Sequence, residues 1–188
     1  KKHTNQFLKL SYGSFATTNT NYKFSFSDQK FSSQFSVSYN KSKNDYDFVG
    51  LDKKNKNGEY ENFSFNSALG YQLNSKWTVK YFNSIYNGNR NFSGTISSVG
   101  NSKYEDYNIR NLLEFKQNAT VFESNFKVYH LSESFKYFEN KNTEIFSTAK
   151  VQTSLFRYEG LLKSIAKLQF KPIVEFQYLE GKGENIER

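Results

Sequence analysis

The sequence predicts an all-β protein whose long antiparallel strands run up and down like the wall of a transmembrane β-barrel. Three observations predict this fold class. Apolar and polar residues alternate with a period of two, the alternating runs are long, and short connections alternate with long ones. A period of two indicates a strand with unlike faces. Soluble strands usually have about 5–6 residues, whereas a tilted strand needs about 9–11 residues to cross a bilayer.

The first three predicted strands cover residues 6–15, 20–27 and 31–40. A short link around Ala16 joins the first two strands. Asp28-Gln29-Lys30 predicts a tight turn between the next two, because Asp favours turn positions. The apolar side chains that alternate with Ser, Lys, Asn and Gln in these strands are Leu8, Leu10, Tyr12, Tyr22, Phe24, Phe26, Phe31, Phe35, Val37 and Tyr39.

The clearest predicted hairpin covers residues 59–86, and its turn is Asn74-Ser75-Lys76. Two alternating runs joined by a short polar turn predict antiparallel pairing. Ser67 is the one interruption of the apolar face in the first arm. The apolar face otherwise consists of Phe63, Phe65, Leu69, Tyr71 and Leu73 in the first arm and of Trp77, Val79, Tyr81 and Ile85 in the second.

Four further strands are predicted at residues 105–116, 121–131, 143–155 and 165–178, which makes nine strands and no helix. A connection is predicted around Gly160. Pro172 predicts a bulge or an edge, because proline has no N–H to donate to a ladder. The apolar positions of these strands are Tyr107, Ile109, Leu113, Phe115, Phe122, Phe126, Val128, Ile145, Ala149, Val151, Leu155, Leu168, Phe170, Val174, Phe176 and Tyr178.

The lengths of the connections distinguish a membrane barrel from a soluble sandwich, which shows the same alternation of side chains. The predicted short links are residues 28–30, 74–76 and 117–120, and the predicted long loops are residues 41–58, 87–103 and 132–142. Outer-membrane barrels have short turns on the periplasmic side and long loops outside. The short link around Ala16 departs from this rhythm. Aromatic residues near the predicted strand ends, as in interfacial girdles, are Tyr39, Tyr71, Trp77 and Tyr107.

Composition excludes several classes of protein. The chain has 188 residues and no cysteine, which excludes a disulfide scaffold and a thiolate metal site. No run approaches the ~18 apolar residues of a transmembrane helix. The net charge is +8, but the lysines are dispersed, which favours a solvated surface over a nucleic-acid interface. We therefore expect no nucleic-acid partner.

No set of residues predicts an enzyme. The two histidines, His3 and His130, have no catalytic partners in the sequence, and no base accompanies the many serines. One acidic cluster, Asp45, Asp47 and Asp52, is a candidate calcium site, because calcium prefers carboxylate oxygen ligands. Neighbouring lysines oppose a dication, so a solvated loop is the alternative.

Three segments carry a resemblance to the early barrel of TonB-dependent outer-membrane receptors. Residues 7–15 (FLKLSYGSF) resemble the first barrel strand that follows the plug. Residues 44–48 (NDYDF) resemble the end of the third strand as it enters its outer loop. Residues 69–77 (LGYQLNSKW) resemble the following periplasmic turn. The resemblance in order and local pattern extends over most of the chain.

The resemblance implies a barrel of about 22 strands filled by an N-terminal plug. It implies a receptor in the cell outer membrane that takes up a scarce, large ligand, such as a ferric siderophore, cobalamin or haem. The implied partners are outer-membrane lipid and the TonB energy-coupling complex, which acts through a plug. It also implies calcium in an outer loop, as in cobalamin receptors of this family.

We expect residues 1–188 to be part of such a barrel, because neither the plug nor the remaining strands are visible in the sequence. Two alternatives remain open. A soluble all-β binding or adhesion module would show the same alternation, and a porin-like outer-membrane barrel would show the same wall.

Overall fold

The computed structural model describes residues 2–165 and 168–183, and every regular element in this part of the chain is a β-strand. No helix among these residues is long and apolar enough to span a membrane. The strands are β1 (His3–Gly13), β2 (Thr17–Ser27), β3 (Phe31–Ser42), β4 (Tyr60–Gln72), β5 (Trp77–Gly94), β6 (Val99–Asn118), β7 (Phe122–Phe138), β8 (Ser147–Ile165), β9 (Leu168–Phe170) and β10 (Ile173–Gly183).

All the strands belong to one antiparallel sheet in the order β1-β2-β3-β4-β5-β6-β7-β8-β10, and the short β9 pairs with β8. Each long strand up to β8 pairs with the next along the chain, as predicted. In the described residues β1 and β10 are the two edges, and the sheet is open. The prediction of antiparallel, up-and-down β structure is therefore confirmed, whereas closure into a barrel is not shown.

The two ends of the sheet differ. We call the end with connections 28–30, 73–76 and 119–121 the turn end. The opposite end, with connections 14–16, 43–59, 95–98 and 139–146, is called the ribbon end. At the ribbon end the hairpin of β5 and β6 continues four residues beyond the last pair with β4, Tyr60↔Arg90, to Gly94. We call the parts of β5, β6 and β7 at this end the extended ribbon.

Two of the predicted long loops are mainly strand. Most of residues 87–103 belong to β5 and β6, paired from Asn87↔Tyr107 to Asn91↔Lys103. Residues 132–138 extend β7. The prediction was wrong because Asn, Ser and Gly were taken as loop residues. Backbone pairing satisfies N–H and C=O groups whatever the side chains are. Only residues 43–59 form the predicted long loop.

The ends of the later strands also differ from the prediction. β8 begins at Ser147, after Ile145, and continues through Gly160 instead of turning there. The strand was predicted from Ala149, Val151 and Leu155. The alternation continues past Leu155 with Phe156 and Tyr158, so β8 is longer than predicted. Gly160 donates a backbone hydrogen bond to the Pro172 carbonyl oxygen at 2.9 Å.

The predicted last strand, 165–178, is divided in the structure. Residues 166 and 167 lie outside the described part of the chain, and Pro172 falls between β9 and β10. The β8–β9 pairing changes register between Leu162 and Ile165. Because proline has no N–H to donate, this position beside an edge strand agrees with the prediction for Pro172.

Two turns at the turn end share one local structure. The Asp28 Oδ1 atom accepts hydrogen bonds from the backbone N–H groups of Lys30 (2.9 Å) and Phe31 (2.8 Å). These two bonds lower the pKa of the Asp28 carboxyl. The Asn74 Oδ1 atom likewise accepts from Lys76 (2.9 Å) and Trp77 (3.0 Å). A side-chain acceptor of this kind holds a short turn in place.

We predict that Asn74→Ala lowers the free energy of unfolding by about 1 kcal/mol, because two N–H groups lose their protein acceptor. Asn74→Asp keeps an acceptor oxygen and is the matched control, with a smaller loss expected. The urea midpoint of the refolded protein measures both. Equal losses in the two variants would contradict the role of the Asn74 oxygen.

Candidate functional site

One face of the sheet carries a nearly continuous band of apolar side chains. The pairing register places the alternating apolar residues of neighbouring strands side by side on this apolar face. Its members on β1 to β4 are Leu8, Leu10, Tyr12, Tyr22, Phe24, Phe26, Phe31, Phe35, Val37, Tyr39, Phe63, Phe65, Leu69 and Tyr71. On β5 to β10 they are Trp77, Val79, Tyr81, Ile85, Tyr107, Ile109, Leu113, Phe115, Phe126, Val128, Phe156, Tyr158, Val174, Phe176 and Tyr178.

The aromatic members of the band contact each other between strands. The rings of Phe24 and Phe35, and of Phe35 and Phe65, are stacked with centroids 6.4 Å apart. The rings of Phe126 and Tyr158 are 4.9 Å apart. Such cross-strand pairs stabilise a sheet without a second layer.

No side chain of the apolar band is buried; many on the inner strands are half-buried by their neighbours, and those on the edge strands are the most exposed. Phe138 is the one buried hydrophobic side chain among the described residues, and none of these residues has a large side chain that is fully buried. Tyr12 is 78% exposed and Phe176 is 69% exposed. An ordinary domain buries such a face against another layer. The described part of the chain has no such layer.

The ribbon-end limit of the apolar band differs between strands. At the ribbon end the band reaches Tyr39 on β3 and Tyr107 on β6, which lie in one register row, but only Val128 on β7 and Phe156 on β8. Ser134 pairs with Tyr107, so the limit on β7 lies six positions nearer the turn end. Six residues are about 20 Å along a strand.

A pair of asparagines interrupts the middle of the band on β5 and β6, where Asn83 pairs with Asn111. The Asn83 Nδ2 group donates to the Asn111 Oδ1 atom at 2.8 Å. The Tyr81 hydroxyl donates to the same oxygen at 2.7 Å. A polar group in apolar surroundings is destabilising unless it is hydrogen-bonded. These contacts partly satisfy the two amides within the band.

The opposite face, which we call the polar face, carries charges of both signs. Lys127 contacts Glu159 at 3.1 Å and Arg157 contacts Glu175 at 3.2 Å. The Asn125 side chain donates to Glu114 at 2.7 Å. These groups agree with the prediction of a polar second face. A depression on this face is lined by Gln34 of β3 together with Arg110 of β6 and residues between them.

The polar face also has an apolar row that the sequence analysis missed. Phe82, Leu112, Tyr129 and Leu155 are aligned by the register of β5 to β8. Ala149 and Val151 also lie on this face, because Phe156 and Tyr158 occupy the apolar face of β8. The sequence contained evidence for this second row. Phe156 and Tyr158 have even numbers and Leu155 has an odd number, so they lie on opposite faces of one strand.

A cluster of aromatic residues lies on the polar face of the extended ribbon. The Tyr104 ring stacks on Phe135 at 5.3 Å and contacts the Phe92 ring edge-on at 6.5 Å. The Arg90 guanidinium lies 5.6 Å from the centre of the Tyr104 ring and 3.6 Å from Asp106. Phe92 remains 42% exposed. The cluster offers flat apolar surfaces and one cation to a ligand.

The connection 43–59 packs against the ribbon and forms a cleft of about 680 Å³ on the side of the apolar face. The Asn57 amide holds the connection in place, since its Nδ2 group donates to the carbonyl oxygens of Phe92 (2.8 Å) and Ser102 (3.1 Å). The Lys141 ammonium lies 3.1 Å from the Glu59 carboxylate. Asn44 and Asn57 adopt positive φ values, 51° and 60°, which asparagine tolerates better than most residues.

The pKa of Glu59 reflects this arrangement. Partial burial raises the pKa of its carboxyl, but hydrogen bonds from its own backbone, from Lys141 and from Asn91 outweigh that effect. The pKa therefore lies below its ordinary value of 4.5.

The candidate calcium residues are not brought together. Asp47 forms an ion pair with Lys54 at 3.7 Å, Asp45 lines the cleft, and Asp52 follows the exposed Leu51 at the tip of the connection. Among the described residues no group of three His, Cys, Asp or Glu could hold a metal ion. Calcium binding therefore stays a prediction.

The histidines are likewise separate. His3 begins β1. The Nδ1 atom of His130 lies 3.1 Å from the Ser154 hydroxyl, on the apolar face of β7.

Comparison with known proteins does not assign the chain to a family. No family model matches it, and no curated protein matches it.

We predict that the ribbon end loosens in acid. A lowered folded pKa means that the Glu59 contacts stabilise fully above about pH 5 and are lost as the pH falls below 4.5 through the lowered value. A spin label on Asn142→Cys, on the intact protein, should become more mobile over that range. With Glu59→Gln the label should be mobile throughout. The same pH profile in both proteins would contradict the role of Glu59.

Proposed function

We propose that the chain is part of the wall of a TonB-dependent outer-membrane receptor, which takes up a scarce, large ligand such as a ferric siderophore, cobalamin or haem. The observation that carries the proposal is the single-layer sheet with an exposed apolar face and no core. In water an exposed apolar face of this extent is unstable. Hydrocarbon is the solvent that suits it.

The dimensions of the apolar band support a membrane position. On β4 the band extends from Phe63 to Tyr71, which is about 27 Å along the strand. At the ~40° strand tilt of outer-membrane barrels, this length would cover about 21 Å across the membrane, close to the ~25 Å apolar band of such barrels.

The polar face supports a role as the inner wall. Its mixed charges and its depressions suit a surface that faces water or a plug. The ribbon end, with the one long connection and the extended hairpins, suits the outside of the cell. The aromatic cluster around Tyr104 then lies at the outer entrance, where a large ligand arrives.

A receptor is favoured over a porin by the resemblance of residues 7–15, 44–48 and 69–77 to receptor segments. A soluble module is disfavoured by the absence of a core among the described residues.

The test uses the intact protein that contains this chain. A receptor needs detergent for extraction, migrates differently on gels before and after heating, and gives no steady conductance in a planar bilayer because a plug fills it. Deleting its gene should abolish growth on at least one ligand, given as ferric siderophore, cobalamin or haem at limiting concentration. Steady conductance would indicate a porin, and extraction without detergent would indicate a soluble module.

The first prediction from this proposal concerns lipid contact. Arginine in place of Phe65, Leu69, Val79 or Phe115 should destabilise the protein by about 2–4 kcal/mol near the membrane midplane. Arginine at Ser36 or Asn66 on the polar face is the control and should cost far less. Urea titration in liposomes gives both sets of values. Similar losses in the two sets would show that the faces are wrongly assigned.

The second prediction concerns orientation. The chain has no cysteine, and single cysteines are introduced into it in an intact protein that is otherwise free of cysteine. A membrane-impermeant thiol reagent on intact cells should label Val49→Cys and Ser97→Cys at the ribbon end. Gln29→Cys and Ser75→Cys at the turn end should react only after lysis. Equal labelling of the two pairs in intact cells would contradict the orientation.

A further inference from the structure

The cleft beside connection 43–59 lies directly beyond the apolar band. The register row that follows Tyr39, Phe63 and Tyr107 contains Lys41, Glu61, Asn89 and Glu105 on the same face. Lys103 follows two residues further along β6. The apolar band therefore ends at a charged belt, and the cleft opens within this belt.

The cleft is lined by more cations than anions. Lys41, Lys43, Lys56, Lys103 and Lys141 line it, against Asp45, Glu59 and Glu61. Lys41 contacts Glu61 at 3.4 Å and Lys141 contacts Glu59 at 3.1 Å. Lys43 and Lys56 form no ion pair with any residue that the structure describes. These two ammonium groups are available to an anion.

The cleft lies just above the headgroup layer, within reach of long side chains. Lys103 lies four residues beyond Tyr107, which is about 14 Å along the strand. At the ~40° strand tilt of outer-membrane barrels, the height above the band is about 10 Å. The headgroup region adds roughly 5–8 Å on each side of the hydrocarbon. The long lysine side chains can therefore reach phosphates in that layer.

We propose that this cleft binds the phosphate of an anionic membrane lipid, with Lys43 and Lys56 as its principal contacts. The proposal rests on the proposed membrane position of the band. Lysine is a point charge with three donors, which suits a phosphate that approaches from variable directions. The amides of Asn89 and Asn91, which also line the cleft, suit hydroxyl groups of the same headgroup. The acyl chains of the lipid then lie along the apolar band.

The experiment measures lipid binding to the intact protein by native mass spectrometry in detergent. The probe is phosphatidic acid, whose headgroup is a bare phosphate, and phosphatidylcholine is the neutral comparison. Each lysine near an anionic lipid strengthens binding about fivefold. Lys43→Gln/Lys56→Gln should therefore bind phosphatidic acid about 25-fold more weakly. The matched control, Lys30→Gln/Lys76→Gln, removes the same charge at the turn end and should bind like the wild type.

Three results would overturn the proposal. They are equal losses in the two double variants, equal binding of both lipids by the wild type, and displacement of the lipid by inorganic phosphate at a similar concentration. Heat-dependent gel migration shows whether each variant has folded. If the wild type lacks that migration and needs no detergent, the membrane position itself fails. Loss of lipid selectivity with migration intact overturns the lipid site alone.

Discussion

Backbone hydrogen bonding between neighbouring strands is the interaction on which the rest of this structure depends. The described residues form one layer with no apolar core, so strand pairing is the main connection between β1 and β8. The pairing is long, and on β6 it continues from Lys103↔Phe138 to Asn118↔Glu123 with β7. In hydrocarbon each unpaired backbone group costs several kcal/mol. A single-layer sheet with long ladders pairs its backbone N–H and C=O groups everywhere except at its edges, β1 and β10.

The ladder also determines the two faces. Once Phe65 pairs with Ile85 and Ile85 with Ile109, the alternation of side chains assigns every other residue to the apolar or the polar face. The exceptions are polar residues within the apolar band and apolar residues on the polar face. Asn83 and Asn111 hydrogen-bond to each other within the apolar band. The apolar row around Leu112 lies on the face that carries the ion pairs, next to Phe82, Tyr129 and Leu155 of the neighbouring strands.

The proposed function assigns a different role to each part of the wall. The apolar band contacts lipid, the polar face lines the passage, and the extended ribbon carries the aromatic cluster around Tyr104 where a ligand arrives. The cleft near Lys43 belongs to the outer surface, and its proposed lipid connects the ribbon end to the headgroup layer. Recognition and anchoring thus use opposite faces of the same ribbon.

The sequence by itself determined the strands, their antiparallel order and the face of most side chains, because period-two alternation depends only on neighbouring residues. It also predicted the turns at Asp28 and Asn74, where one side chain accepts two nearby N–H groups. The extent of β5 to β8 was decided by the tertiary structure, since polar residues such as Asn89 and Asn91 join a strand only when a partner supplies the ladder. The cleft was decided there as well. Asn57 bonds to carbonyl groups of Phe92 and Ser102, far away in the chain, and Lys141 contacts Glu59 across a longer distance in sequence.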